Sequence, residues 1–342
     1  MEEGRTELTS LDNAKELYYF SNSYKIYSLR NFCNEYILSV INNQNIFDIY
    51  EFAYNVTDNS IRYKCLKWFD EECMEVFKKS NCSNCNERTI STLVSRPIYK
   101  WMNEADVFHT VYYWAETKVN KSTNLRTIME PYLPKIRFLA IRPECFHRYV
   151  LPFLKNVLTD EEIQLIRESL SSTCTSNLPA FICRSREERK ITYYENLFYY
   201  MNRSSMKTDK DILVTSKTRF ICEIFPKHNC FLTDILLPIR HSREENISGF
   251  LKLIVKNTQK SFPETFFCDG EGQAKCSSPI YLTKYTSYHF KARIDKYIFS
   301  QTDIRVKKDS YYYSPEHYKR KNDKNINKKN NQTFYFEAIL YF

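Results

Sequence analysis

Residues 28–77 read SLRNFCNEYILSVINNQNIFDIYEFAYNVTDNSIRYKCLKWFDEECMEVF. Their apolar members fall into three groups: Leu29, Cys33, Tyr36, Ile37, Val40 and Ile41; then Ile46, Ile49, Ala53 and Val56; then Ile61, Cys65, Trp68, Cys73, Val76 and Phe77. Within each group the recurring step is three or four residues, which sets the side chains on one stripe of a helix. Three amphipathic helices therefore follow one another. The joints between them, Asn42-Asn43-Gln44-Asn45 and Thr57-Asp58-Asn59-Ser60, carry side chains able to accept from the free N–H groups of the next helix's first turn.

The helical period extends outward from this stretch, from Asn13 to about Ser172. Asn13–Ser23 and Leu29–Ile41 read as a helix pair broken at Tyr24–Tyr27, and further helices are expected at Glu87–Ser95, Asn103–Val119, Pro143–Asn156 and Thr159–Ser171. The last begins with a capping box, Thr159 with Glu162, and its Asp160 and Glu161 suit the positive end of the helix dipole. Trp101 and Trp114 stand at helical positions and are expected in the core. Residues 173–210 read as a connector with one partly buried segment at Tyr193–Tyr200.

From Asp211 the period changes to two. Tyr288, Phe290, Ala292 and Ile294 alternate with His289, Lys291 and Arg293, and short apolar or alternating runs recur at Thr218–Phe225, Phe231–Ile239, Phe250–Lys256, Pro279–Lys284 and Thr333–Tyr341. An antiparallel β-sandwich is expected over 211–342, with the Lys/Asn-rich insertion 307–332 as a mobile basic loop. The fold class is thus α+β, an N-terminal all-α array followed by a C-terminal antiparallel β-sandwich.

A chain of 342 residues, 43% hydrophobic and 27% charged, has the balance of a globular protein. The first fifteen residues contain no apolar run and no long apolar stretch occurs, so a cytoplasmic protein without signal peptide or membrane span is expected. Twelve cysteines scattered along a chain of this length read as reduced thiols, many on core-facing stripes. The six Asn-x-Ser/Thr sequons, from Asn55 to Asn331, are discounted because no secretory signal accompanies them. The net charge of +9 is local, concentrated at Lys319–Lys329 (KRKNDKNINKK). Only four glycines are present, which argues against a Gly-rich phosphate cradle.

No catalytic constellation stands out. The histidines (His109, His147, His228, His241, His289, His317) lack HExxH spacing, and no GxSxG elbow occurs. Cys82 and Cys85 have the spacing of half a zinc site without a second half, so neither metal nor cofactor is expected. Asp269-Gly270-Glu271-Gly272 reads as a turn rather than a calcium loop. The basic block, with Tyr311-Tyr312-Tyr313 before it, has the charges and rings of a nucleic-acid contact, but tyrosine abounds throughout the chain and a solvated loop is the preferred reading.

The order of helical segments resembles the BACK domain of BTB/POZ proteins, substrate adaptors of cullin-RING ubiquitin ligases. Glu16–Cys33 (ELYYFSNSYKIYSLRNFC) is similar to the closing helices of a BTB domain and Asn34–Val76 to the start of BACK. Val107–Glu116 (VFHTVYYWAE), Leu133–Leu139 (LPKIRFL) and Val157–Glu162 (VLTDEE) follow in the family's order. The resemblance implies an incomplete BTB end at 1–33, a BACK-like domain at 34–172, a connector at 173–210 and, at 211–342, a sandwich resembling the PHR domain. The resemblance to PHR rests on Phe231–Arg240, Pro279–Tyr288 and Phe334–Phe342, without that domain's glycine-rich turns. Because 1–33 holds only the last BTB helices, the resemblance implies a truncated gene model or a degenerate member, and a homodimer only if the rest of the BTB domain exists. It implies a non-enzymatic adaptor that binds a cullin through the N-terminal helices, with Tyr36, Phe47 and Tyr50 as the contact residues, and a protein substrate through the sandwich. The alternative is an interaction scaffold that has lost cullin binding and uses its basic loop on nucleic acid.

Overall fold

The stripes of 28–77 become helices packed face to face. In the computed structural model, which describes residues 8–77, 81, 85–99, 102–172, 175–189, 198–200, 205–207, 211–216, 218–242, 245–255, 261–295, 304–307, 311–313 and 333–341, the first helices are α1 (Leu11–Ser23), α2 (Tyr27–Ser39), α3 (Ile46–Asn55), α4 (Asn59–Glu71) and the single turn α5 (Cys73–Val76). The two joints work differently. Asp58 caps α4, its Oδ1 accepting from Ile61 N at 2.9 Å. The Asn42–Asn45 joint instead closes on itself: Asn42 N donates to Asn45 Oδ1 (2.8 Å), and Gln44 N and Asn45 N donate to Asn42 Oδ1 (2.9 and 3.2 Å). Side-chain amides take over backbone partners in such loops.

Further along lie the helices Glu87–Ser95, Glu104–Lys118, Leu125–Met129 and Asp160–Ser171, the last with the expected capping box between Thr159 and Glu162. The expected helix from Pro143 is not continuous. It runs as Pro143–Cys145, a π-turn at Phe146–Val150, then Leu151–Leu154. Pro152 has no N–H to donate to the carbonyl four residues back, which accounts for the widened turn.

Two buried ion pairs join these helices. Arg96 meets Asp70 in a bidentate pair at 3.0 and 2.8 Å. Arg189 meets Glu104 through Nε to Oε2 at 2.8 Å and Nη2 to Oε1 at 3.2 Å, both side chains being 4% exposed. The remaining donors of Arg189 reach the carbonyls of Arg96 and Lys135, and Glu104 Oε1 also accepts from Arg137 N at 2.6 Å. The pair thus binds four chain segments together.

The chain divides into two units, Met1–Tyr193 and Tyr194–Phe342. The second is an antiparallel β-sandwich with curled sheets. Its strands are β1 (Phe198–Tyr200), β2 (Ser205–Lys207), β3 (Ile212–Leu213), β4 (Arg219–Pro226), β5 (Cys230–Leu236), β6 (Ile239–His241), β7 (Ile247–Val255), β8 (Ser261–Cys268), β9 (Gln273–Leu282), β10 (Tyr288–Ile294), β11 (Ile304–Val306), β12 (Tyr311–Tyr313), β13 (Thr333–Tyr335) and β14 (Glu337–Tyr341). The large sheet runs β14-β5-β9-β8-β7-β10-β4-β13-β12-β2, with β1 also on β4, and a small sheet runs β3-β11-β6. Among the described strands one neighbouring pair is parallel, β13 with β4. Phe220, Ile224, Leu251, Phe266 and Phe290 fill the interior on alternate positions. Residues 311–313, expected within a loop, pair with β13 and β2 instead. Lys319–Lys329 lies outside the described residues. At the β8–β9 turn Gly272 has φ +91°, and a Cβ there would sit 2.1 Å from the Leu237 carbonyl oxygen.

Replacing Arg189 with Met leaves Glu104 buried and unpaired, and is expected to lower the unfolding free energy of the helical unit by about 3–5 kcal/mol. Urea unfolding followed by tryptophan fluorescence measures this, and a loss well under 1 kcal/mol contradicts the role assigned to the pair.

Candidate partner-binding surface on the N-terminal helices

Three residues were marked by the sequence for partner contact, and the fold separates them. Phe47 and Tyr50 are 3% and 1% exposed. Their rings pack on Phe69 at 5.6 and 5.5 Å, and Phe47 also reaches Phe77. Both occupy the core of α3 and α4, where large aromatic rings contribute most by burial. Tyr36 is half-buried on α2.

The exposed aromatic residues lie on α1, α2 and the turn between them: Tyr19 (49%), Phe20 (48%), Tyr24 (68%), Tyr27 (64%) and Phe32 (43%). Phe32 precedes Tyr36 by one helical turn, so the two share a flank of α2 beside the stripe of Cys33 and Ile37. In α1 the run Tyr18-Tyr19-Phe20 cannot turn all three rings inward at 100° per residue. Tyr18 is buried, leaving the next two outside. That crowding is the signal in the sequence which points to the patch. Arg30 lies over the Tyr27 ring at 5.4 Å and Phe20 packs on Tyr24 at 4.5 Å, so the patch is a mixed aromatic and cationic surface.

Asp58 holds this surface in place. Besides capping α4, its Oδ2 accepts from Tyr18 Oη on α1 at 2.6 Å and from Asn34 Nδ2 on α2 at 3.0 Å. One carboxylate thereby fixes three helices. Burial, then the bond to the Asp58 carboxylate, pushes the Tyr18 phenol above its ordinary value; burial does the same for Tyr50, Tyr99 and Tyr132.

A cavity of about 570 Å³ opens at the start of the Glu104–Lys118 helix, lined among others by His109, Arg142, Cys145 and Tyr149. Of the charged groups that line it, Glu104 pairs with Arg189, and Asp106 closes the capping box with Asn103. Burial lowers the His109 pKa. Cys82 and Trp101 lie outside the described residues, whereas Cys85 is buried and its carbonyl accepts from Trp114 Nε1 at 2.8 Å. Among the described residues no group of three or more His, Cys, Asp or Glu is placed to hold a metal ion. In the sandwich, burial pushes the Cys230, Cys268 and Cys276 thiols up to about 12, which leaves them protonated and unreactive near neutrality. No described helix is long and apolar enough to cross a membrane.

Residues 46–151 match the family model BACK, described as BTB And C-terminal Kelch. This stretch is therefore similar to the BACK domain, which is typical of BTB-type cullin-RING ligase adaptors. No curated protein matches the chain.

Replacing Asp58 with Ala removes a helix cap and two side-chain bonds, an expected cost of about 1–3 kcal/mol in unfolding free energy, read from denaturant titration. The buried phenols predict alkaline sensitivity. Tyr18 keeps its proton in the folded state above the pH near 10 at which the unfolded chain releases it. Because the buried thiols are raised from their ordinary value as well, stability is complete only below about pH 9 and falls as pH rises through the range in which the unfolded chain's thiols and then its phenols ionise. Thermal melts between pH 8 and 11 should show a flat region and then a decline, and a rise above pH 10 would contradict this assignment.

Proposed function

We propose, from the match to BACK at 46–151, that this chain is a non-catalytic substrate adaptor of a cullin-RING ubiquitin ligase. The N-terminal helices hold the cullin, and the PHR-like sandwich holds a protein substrate. Catalysis belongs to a separate RING partner and its charged enzyme. The adaptor acts by proximity, raising the effective concentration of substrate lysines near the ubiquitin donor.

The observation that supports cullin binding is the exposed aromatic patch of α1 and α2, immediately before the stretch that matches BACK. Aromatic rings dominate the energetics of protein interfaces, and Phe32 with the half-buried Tyr36 gives a helix flank of the kind that receives an apolar peptide segment. Phe47 and Tyr50 pack α3 on α4, and it is Phe52 of α3 whose ring meets Tyr18 and Tyr19 of α1. Asp58 and the core fix the helices that carry the patch, so docking need order only the exposed side chains.

Calorimetry with cullin N-terminal domains tests the proposal. The full chain is expected to bind one of them, and Phe32→Ala with Tyr27→Ala to weaken binding about a hundredfold, as the loss of two interface anchors does. Absence of binding to every cullin tested, or an unchanged affinity in the double variant, rejects it.

A further inference from the structure

The outer face of the sandwich carries an unneutralised cluster of cations. In the antiparallel register of β7, β10 and β4, Phe250 lies opposite Arg293 and Lys252 opposite Lys291, while Lys291 lies opposite Ile221. One step further along the β10–β4 register, Arg219 comes beside Arg293. Neighbours are about 5 Å apart across strands and about 7 Å apart along them, so four cations occupy one compact block. Lys252, Lys291 and Arg293 are exposed and Arg219 is half-buried.

Among the described residues no carboxylate pairs with any of the four. The Arg219 guanidinium donates only to the carbonyls of Ser216 and Thr218, and both burial and the nearby Arg293 charge lower its pKa. Like charges facing each other across strands cost stability, and an anion bound between them removes that cost. Beside the block stand two exposed rings, Phe250 (49%) and Phe267 (55%). Among the described residues of β4, β7 and β10 and their ends, the carboxylates on this face are Glu223, bonded to His289 Nδ1 at 2.7 Å in the adjoining row, and Asp295 just beyond the end of β10.

We infer that the β7–β10–β4 face is the substrate-docking surface and that it takes an acidic peptide segment carrying an apolar side chain. This rests on the adaptor reading above and specifies its substrate class. Carboxylates of the segment sit among Arg219, Arg293, Lys291 and Lys252, with bidentate contacts open to the arginines. The apolar side chain covers Phe250 and Phe267. Glu223 and Asp295 favour a peptide over nucleic acid, because a phosphate strand crossing the face meets carboxylates at both margins, whereas a peptide can place neutral residues there.

Fluorescence anisotropy with the full chain tests this. The probes are a labelled Glu/Asp-rich peptide containing two Phe residues, its Gln/Asn counterpart and a uridine oligonucleotide. The acidic peptide is expected to bind, the amide peptide not, and affinity to fall as salt rises. Lys291→Glu with Arg293→Glu should weaken binding about tenfold or more without lowering the melting temperature, and Lys252→Glu alone should weaken it less. Equal binding of the amide peptide, tighter binding of the oligonucleotide or indifference to charge reversal overturns the inference. The cullin titration is separate. A chain that binds cullin but not the acidic peptide loses this inference alone, and one that binds the peptide but not cullin keeps the docking face and loses the adaptor reading.

Discussion

Arg189 and Glu104 meet out of water, and the helical unit is arranged around that meeting. A buried ion pair adds little net stability compared with an apolar pair, but either partner alone is costly. Every packing that separates residue 189 from residue 104 leaves a charge in the core, together with the carbonyls of Arg96 and Lys135 that Arg189 satisfies. The pair therefore selects one arrangement of the segments around 96–99, 104 and 135–137. It also ties the stretch that matches BACK to Arg189, well beyond the end of the match at 151.

For the adaptor role proposed above, whose work is positional, such fixed packing matters: a ligase scaffold held loosely would spread the substrate lysines over many positions and dilute the proximity effect. Asp58 performs for α1, α2 and α4 what Arg189 performs for the later helices, at a single partly buried carboxylate. The sandwich has its own source of order in the alternation of its interior residues. It can carry a charged outer face because each strand sends every second side chain outward.

Much of the fold was legible because periodicity is a local property. The three-four spacing of Leu29 to Phe77 and the alternation of Tyr288 to Ile294 each fixed an element, and Thr159 with Glu162 marked a helix start to the residue. The π-turn at Phe146–Val150 was harder to see, because it depends on where the missing N–H of Pro152 falls within an otherwise regular helix. The strand Tyr311–Tyr313 is hidden in the sequence because its neighbours along the chain are polar, while its partners β13 and β2 are distant in the chain. The same limit applies to contact residues. Phe47 and Tyr50 are aromatic residues on a helix, as are Phe32 and Tyr27, and only the packing of α3 on α4 decides which pair faces water. The cation block was less accessible still, since Arg219 and Arg293 come together through strand register alone.

Hydrogen exchange on the full chain, with and without a cullin N-terminal domain that binds it, tests the central claim most directly. The account predicts slowed amide exchange across Leu11–Ser39, the segment that carries the exposed aromatic patch. Slowing confined to the cavity at the start of the Glu104–Lys118 helix, or to the sandwich, with α1 and α2 unchanged, would contradict it.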